Sequence, residues 1–298
     1  MAVAVLGVLA WGCSPQSGSK PPEDSLTAGR ITVVSVPDAQ ELMGREIEAF
    51  AALYPDAVID LRTGTSRDAV SALFAANADL AVIARELEPE ERTAAAGAGL
   101  ELQGYRFARD AVVLVVHPDN PVENISRQDL TDIYRGDMTN WSAMGGRDAA
   151  IVPVVQPQET DLSLFLRETL LEGEAPAVRA VTAAGDSAVV ARVTADPSAI
   201  GYVSLAGAEL GAKPLRVAAI TGLSYWKPDL EAVYNGDYPL TRFRNFFVRA
   251  DGARLAHGFI TFVTSAAGQR LVHEAGLVPT TVPVRFVRRS PMKGAHEQ

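Results

Sequence analysis

The chain has 298 residues, of which 48% are hydrophobic and 21% are charged, as in a folded protein with one large domain or two smaller ones. Its formal net charge of -9 argues against a nucleic-acid-binding protein, which needs a basic surface. One cysteine, Cys13, excludes an intramolecular disulfide, and the four histidines show no metal-ligand spacing. We therefore predict no metal and no cofactor.

Residues 1–13 predict a lipoprotein signal peptide. The apolar run MAVAVLGVLAW is too short to cross a bilayer but suits a secretory signal. Ala10 and Gly12 are small, as signal peptidase requires, and Leu9 to Cys13 resembles a lipobox with Cys13 as the lipidated residue. Trp11 is bulky for that motif, and the alternative is a frayed apolar N-terminus with an incidental buried cysteine. The polar residues 14–28 predict a flexible tether, and the predicted location is the periplasm or cell surface, anchored to the membrane.

Alternating strand and helix patterns begin at Arg30. The apolar periodicity predicts strands over 31–36, 57–61 and 80–83, with helices over 39–53 and 67–76 between them. This alternation predicts a parallel sheet with helices on both faces. The continuous apolar run over 111–116 predicts a strand buried on both faces.

A second α/β set follows. Its clearest parts are helices over 126–134 and 162–171 and strands over 151–155 and 199–203. An extended return over 238–247 and one helix over 253–274 complete the pattern. We therefore predict an α/β protein with two lobes: residues 29–112 plus 238–288 form lobe 1, residues 113–237 form lobe 2, and 289–298 form a tail. Small ligands bind in clefts between such lobes.

Several segments carry a family resemblance, in order along the chain. Residues 112–121 (VVLVVHPDNP), 136–141 (GDMTNW) and 196–203 (DPSAIGYV) resemble segments of the PstS-like periplasmic phosphate-binding proteins. Residues 238–242, 262–269 and 276–279 continue the match, which spans roughly residues 30 to 285. The resemblance implies the type II periplasmic binding fold, whose two lobes close on a ligand. It also implies delivery of phosphate to the membrane subunits of an ABC transporter.

In that family three donor-rich loops hold phosphate, and the first is altered here. The stretch Ser35-Val36-Pro37-Asp38 stands where the family has a Gly-Ser-Thr-Thr-like turn. Val36 and Pro37 have lost the hydroxyl donors, and Pro37 has no backbone N–H. Asp38 either caps the helix predicted at Ala39 or faces the ligand, where it would repel a dianion.

The second loop, Thr63-Gly64-Thr65-Ser66, keeps the family's donor chemistry. We expect Ser66 at the start of the helix that begins near Arg67, where its hydroxyl and backbone N–H meet the positive helix end. The alternative is that Ser66 is only a helix N-cap.

The third loop departs most from the family, where an Arg and a Ser-Gly-Thr segment contact phosphate. The Arg position falls on Val155, and Ser-Gly-Thr falls on Glu159-Thr160-Asp161. The two carboxylates either cap the helix predicted at Leu162 or face the cleft, where they would oppose phosphate. Arg85, after the strand 80–83, is the best remaining cationic candidate.

The resemblance therefore predicts an exported solute-binding protein for a small oxyanion, phosphate favoured. Its expected partners are the transporter's membrane subunits and the membrane itself, with no nucleic acid and a monomeric state. The alternative is a divergent lipoprotein of the same fold with a different ligand, or a sensing or docking role. Catalysis is not expected, because no Gly-x-Ser-x-Gly or phosphate-binding P-loop motif is present. The predicted ligand-binding residues are Ser35, Val36, Asp38, Thr65, Ser66, Arg85, Glu159, Thr160 and Asp161.

Overall fold

The computed structural model describes residues 24–176 and 180–280, so Cys13, most of the predicted tether and the C-terminal tail lie outside the described residues. The described chain has the predicted α/β architecture with two lobes. Asp24, the first described residue, contacts lobe 1. Its carboxylate accepts hydrogen bonds from the backbone N–H groups of Arg254 and Leu255 at 3.0 and 3.2 Å. Within the described ranges, no helix is both long and apolar enough to span a membrane.

The first part of lobe 1 alternates strands and helices. In chain order its elements are β1 (Gly29–Ser35), α1 (Gln40–Leu53), β2 (Ala57–Thr63), α2 (Ser66–Phe74), β3 (Leu80–Ile83), α3 (Pro89–Gly97) and β4 (Leu102–Ala111). Strand β1 pairs in parallel with both β2 and β3. The apolar face of α1 explains its place, since Leu42, Met43 and Phe50 are all buried in the lobe 1 core.

The chain leaves lobe 1 at Val112. The buried strand predicted over 111–116 is confirmed for β5 (Val113–Val116), which begins lobe 2 and is buried throughout, but its predicted start is wrong, because Ala111 is the last residue of β4. The Val112 N–H donates to the Leu240 carbonyl at 2.9 Å, and the Tyr238 hydroxyl donates to the Val112 carbonyl at 3.0 Å. The outgoing and returning segments thus lie side by side where the two lobes join.

Lobe 2 is built around a second sheet. Its remaining elements are β6 (Asn124–Ser126), α4 (Arg127–Arg135), β7 (Val152–Val155), α5 (Asp161–Leu170), β8 (Val181–Thr182), α6 (Asp186–Ala195), β9 (Ala199–Val203), β10 (Lys213–Pro214), β11 (Arg216–Ala218) and α7 (Leu230–Asn235). The strand order is β10–β5–β9–β7–β8, and β11 and β6 form a separate parallel pair. Trp141 and Tyr202 are buried in the core of this lobe.

The returning chain completes lobe 1 with β12 (Thr241–Arg249), α8 (Arg254–Val263), α9 (Ala266–Glu274) and β13 (Val278–Pro279). The six-stranded order is β13–β4–β12–β3–β1–β2, with β12 antiparallel to both neighbours. The sheet is therefore mixed, and the predicted parallel arrangement holds only for β1 to β3.

The single helix predicted over 253–274 is wrong. It breaks after Val263, and Ser265 caps α9 by accepting the Ala267 N–H at 3.3 Å. Gly268 makes the tight turn possible, because a Cβ there would lie 2.4 Å from the Val263 Cα. The break lets both short helices bury apolar faces in the lobe 1 core.

Candidate ligand site between the lobes

A cavity of about 520 Å³ lies between the two lobes. Lobe 1 contributes Val36, Pro37, Asp38, Thr65 and Ser66, and lobe 2 contributes Gln156, Pro157, Glu159, Thr160, Asp161, Leu162, Ala184, Gly185, Asp186 and Ser187. The fold thus gathers the predicted loops around one cavity. Of the predicted site residues, Ser35 and Arg85 do not line it.

Asp161, which lines the cavity, forms hydrogen bonds that join the two lobes. It is the first residue of α5 in lobe 2 and is 6% exposed. One carboxylate oxygen accepts the Ser66 hydroxyl at 2.5 Å, and the other accepts the Ala84 backbone N–H at 2.8 Å. Both donors belong to lobe 1. A carboxylate from one lobe therefore satisfies a hydroxyl and an amide of the other.

The helix caps near the cavity differ from the predicted ones. Thr65, not Ser66, caps α2: its hydroxyl accepts the Asp68 N–H at 3.1 Å, and the Asp68 carboxylate accepts the Thr65 N–H at 2.9 Å. Thr160 caps α5 by accepting the Ser163 N–H at 3.3 Å. The alternative that Ser66, Glu159 or Asp161 serves as a helix cap is therefore wrong. The capping threonines leave the side chains of Ser66 and Asp161 free to meet each other.

Asp38 is not a helix cap either, since α1 begins after Ala39 without a side-chain cap. Its carboxylate pairs with Arg242 and Arg244 of β12, at 3.2 and 3.0 Å. Asp110 of β4 binds the same two guanidinium groups, at 2.7 and 3.0 Å. We call these four residues the Arg–Asp cluster. It balances two positive charges with two negative charges inside lobe 1.

The cluster holds its members ionised. Burial opposes ionisation of Asp110, yet Arg242 and Arg244 lower its pKa to about 2. Burial likewise acts against the Asp38 carboxylate, but the same arginines bring its pKa below the ordinary value. Burial would lower the pKa of Arg242, whereas Asp110 and Asp38, with a smaller contribution from Asp161, raise it.

Sequence reasoning missed the Arg–Asp cluster. The available signal was an Arg-Phe-Arg segment, in which Arg242 and Arg244 point to the same face of a strand that also contains the apolar run Phe246-Phe247-Val248. Buried arginines need partners, so this spacing indicates a buried ion network. The partner Asp110 lies 132 residues away from Arg242, and nothing local in the sequence reveals the pairing.

Neither Arg85 nor Ser35 lines this cavity, although both were predicted to bind the ligand. Both terminal nitrogens of Arg85 bind the Glu91 carboxylate, at 2.7 and 2.8 Å. Arg85 lines a different interlobe cavity, of about 650 Å³, between the segment after β3 and α5. Ser35 is fully buried and donates to the Val36 carbonyl at 3.2 Å, and the Val36 side chain belongs to the core. Asp161 and Ser66, rather than these residues, bring the two lobes into contact.

Acceptors dominate the lobe 2 side of the cavity. Glu159 is exposed beside it, and Asp186 accepts from the Ser204 hydroxyl at 2.5 Å and from the Gln156 amide at 3.0 Å. Among residues 24–176 and 180–280, no group of three or more His, Cys, Asp or Glu side chains is placed to hold a metal ion. The cavity therefore has the Ser66 hydroxyl and the Asp38 carboxylate on its lobe 1 side and the Glu159, Asp161 and Asp186 carboxylates on its lobe 2 side.

Comparison with known proteins gives a consistent family. Two similar curated proteins are the phosphate-binding proteins PstS of Bacillus subtilis (strain 168) and of Pseudomonas aeruginosa. The first is 27% identical over 85% of this chain and 82% of its own length. The second is 26% identical over 86% of this chain and 85% of its own length.

Solved structures show the same fold. An ABC-type phosphate transport receptor from Vibrio cholerae superimposes with a TM-score of 0.73 at 22% identity, covering 84% of this chain and all of that one. PstS from Borrelia burgdorferi superimposes with a TM-score of 0.62 at 20% identity, covering 84% of this chain and 98% of that one. Residues 20–267 match the family profile PBP_like_2, described as a PBP superfamily domain. The chain therefore belongs to the PBP superfamily, with PstS phosphate-binding proteins among its homologues.

Proposed function

We propose that this protein is an exported solute-binding component of an ABC transporter, and that it captures a small oxyanion, phosphate favoured, in the cleft between its lobes. One observation carries the proposal: the Ser66 hydroxyl and the Ala84 backbone N–H converge on the two oxygens of one carboxylate between the lobes. Convergent donors of this kind, one of them at the start of a helix, are what a desolvated oxyanion requires.

The arginines that pair with Asp38, a residue of the cavity wall, have unused donor capacity. Arg242 Nη1 and Arg244 Nε and Nη1 are buried and have no hydrogen-bond partner among the described residues. Guanidinium groups bind tetrahedral oxyanions through several N–H donors at once. Their presence supports a small, highly charged ligand rather than an apolar one.

The homologues support phosphate as that ligand, because PstS of B. subtilis is a phosphate-binding protein along nearly the same length. The proposed protein binds and releases its ligand without chemical change and acts as a monomer. It delivers the ligand to the transporter's membrane subunits.

We further propose that Cys13 carries a lipid anchor at the periplasmic or outer face of a membrane. Several acyl chains on one residue hold a protein firmly at a bilayer. In the bacterium, Cys13→Ser should move the protein from the membrane fraction to the aqueous fraction, whereas Ser14→Ala should leave it membrane-bound. Equal fractionation of both variants with the wild type would contradict the anchor.

A second candidate is a related binding protein whose ligand is not phosphate. The acidic lobe 2 side of the cavity, with Glu159, Asp161 and Asp186, favours it. A ligand that carries hydrogen-bond donors or positive charge would suit that side better than a dianion does.

Isothermal titration calorimetry with inorganic phosphate separates these candidates. The dialysed wild-type protein should give saturable heat with one phosphate per chain, and sodium chloride at equal ionic strength should give none. Arg67→Ala is a matched control, because Arg67 lies exposed beside Ser66, and this variant should bind as the wild type does. Absence of heat at millimolar phosphate would exclude the first candidate and leave the second.

A further inference from the structure

We propose that Asp161 is an internal ligand: its carboxylate occupies the oxyanion position, latches the two lobes together and must be displaced before phosphate binds. Asp161 then sets the affinity and selectivity of the cleft. The competition with phosphate rests on the proposed function, whereas the latch between the lobes does not.

The geometry of Asp161 is that of a bound anion. Its two oxygens accept separate lobe 1 donors, the Ser66 hydroxyl at 2.5 Å and the Ala84 backbone N–H at 2.8 Å. Ser66 is the first residue of α2, and Ala84 follows β3 directly. Two oxygens of a phosphate at the same place would use the same two donors. Asp161 and phosphate therefore exclude each other sterically.

Electrostatics strengthen this exclusion. The Arg–Asp cluster is already neutral, because Asp38 and Asp110 balance Arg242 and Arg244. Asp161 therefore adds a negative charge that the cluster does not cancel. A phosphate that entered beside it would meet like charge at short range in a desolvated site.

Asp161 is also held in place by its helix. Thr160 caps α5, and Leu162 and Leu166 of the same helix are buried in the core of lobe 2. A carboxylate tethered in this way has an effective concentration in the millimolar range or above at its donors. Free phosphate has to compete with it at that concentration.

The Asp161 hydrogen bonds join parts of the two lobes that the crossover at Val112 does not connect. Another interlobe hydrogen bond, from the Leu205 N–H to Asp110 at 3.1 Å, lies next to the crossover at Val112. The Asp161 bonds instead connect α5 to the start of α2 and the end of β3. Removing them should therefore free the lobes to open around the crossover.

The test compares the wild type with Asp161→Ser and Glu159→Gln. Asp161→Ser removes the carboxylate and supplies a short hydroxyl. Glu159→Gln removes one negative charge from the same loop but leaves the latch intact, and Glu159 is exposed. Small-angle X-ray scattering without and with inorganic phosphate reports lobe opening, and calorimetry on the same samples reports phosphate affinity.

The latch predicts that ligand-free wild type and Glu159→Gln are equally compact, and that ligand-free Asp161→Ser has a larger radius of gyration. Phosphate should compact Asp161→Ser again and should bind it at least about tenfold more tightly than the wild type. An unchanged radius of gyration in Asp161→Ser would overturn the latch. Equal or weaker phosphate binding by Asp161→Ser than by the wild type would overturn the competition. Opening of Asp161→Ser without phosphate binding by any variant would uphold the latch and refute the proposed phosphate function instead.

Discussion

The two sides of the cleft have opposite hydrogen-bonding roles where they meet at Asp161. Lobe 1 presents donors there, namely the Ser66 hydroxyl and the Ala84 N–H. Lobe 2 presents the Asp161 carboxylate, which is more buried than the Glu159 and Asp186 carboxylates of the same side. The sequence resemblance implies that, in the related phosphate-binding proteins, the loops of both sides supply donors to phosphate.

This difference shows how a carboxylate in one loop can take the place of an external acceptor. Buried donors must find an acceptor, since an unsatisfied buried polar group costs free energy. Once the third loop carries a carboxylate, that carboxylate satisfies the donors that lobe 1 has kept. The second loop then needs no change, although the first loop of lobe 1 differs from the family at Val36 and Pro37.

The largest expected effect concerns the lobe 1 side, where charge is paired and buried. Arg242→Leu should lower the free energy of unfolding by about 3–5 kcal/mol, because it leaves the buried Asp110 carboxylate short of a partner. Urea denaturation at neutral pH measures this change. Arg62→Ala, which removes an exposed ion pair with Asp60, should cost no more than about 1 kcal/mol. Equal losses in both variants would show that the Arg–Asp cluster is not a structural element.

Glu46 of α1 is a second buried acid of lobe 1. It differs from Asp110, because no arginine pairs with its carboxylate among the described residues. Glu46 is fully buried, and neither of its carboxylate oxygens has a hydrogen-bond partner among the described residues. Burial raises the pKa of Glu46 to about 8, while Arg45 acts in the opposite direction. The folded state therefore keeps Glu46 protonated, whereas the unfolded state ionises near pH 4.5. Stability should fall as pH rises between these values.

Glu46→Met removes that titration. Between pH 5 and pH 8 the wild type should lose on the order of 3 kcal/mol more unfolding free energy than the variant. Urea denaturation at both pH values measures the difference, with Glu48→Met on the same helix as a control that should keep the wild-type pH dependence. A Glu46→Met variant with the wild-type pH dependence would contradict the buried, protonated state.

The next prediction tests whether the Ser66 hydroxyl is the donor to both Asp161 and phosphate. Ser66→Ala in the Asp161→Ser background should weaken phosphate binding by about tenfold, the usual value of one hydrogen bond to a charged group. In the wild-type background, Ser66→Ala weakens the hydrogen bond to Asp161 and the hydrogen bond to phosphate together. The phosphate affinity should therefore change by less than about threefold. Calorimetry on the four proteins completes the cycle. Equal losses in both backgrounds would show that Asp161 and phosphate do not compete for Ser66.

The smallest effect concerns the capping threonines. Thr65→Ala should lower the unfolding free energy by about 1 kcal/mol, because it removes the cap of α2. Phosphate affinity should change little, since the Thr65 hydroxyl is engaged with Asp68. A large loss of affinity with unchanged stability would instead make Thr65 a ligand contact.

The local patterns of the sequence were enough to predict part of the alternating elements of both lobes, but helices α3, α6 and α7 were not predicted. Apolar periodicity places β1, β2, β3 and β9 within a few residues of their observed bounds. Strand β4 was not predicted, because Arg106, Arg109 and Asp110 interrupt its apolar pattern. Its pairing with β12 across the sheet, rather than its own sequence, makes it a strand.

The site was predictable in position but not in chemistry. The family resemblance located the loops around Ser66 and Asp161, yet it left open whether Asp161 caps a helix or faces the cleft. That choice depends on Thr160 taking the cap and on Ser66 lying opposite, 95 residues away in the chain. Contacts over such separations are fixed by tertiary packing, which a single sequence does not reveal.

The position of phosphate in crystals of Asp161→Ser grown with inorganic phosphate tests the central claim most directly. The account predicts one phosphate between the lobes, with one oxygen accepting from the Ser66 hydroxyl and another from the Ala84 N–H, where the Asp161 oxygens lie in the wild type. A phosphate bound elsewhere in the cleft, or a closed cleft with no phosphate in it, would contradict the claim.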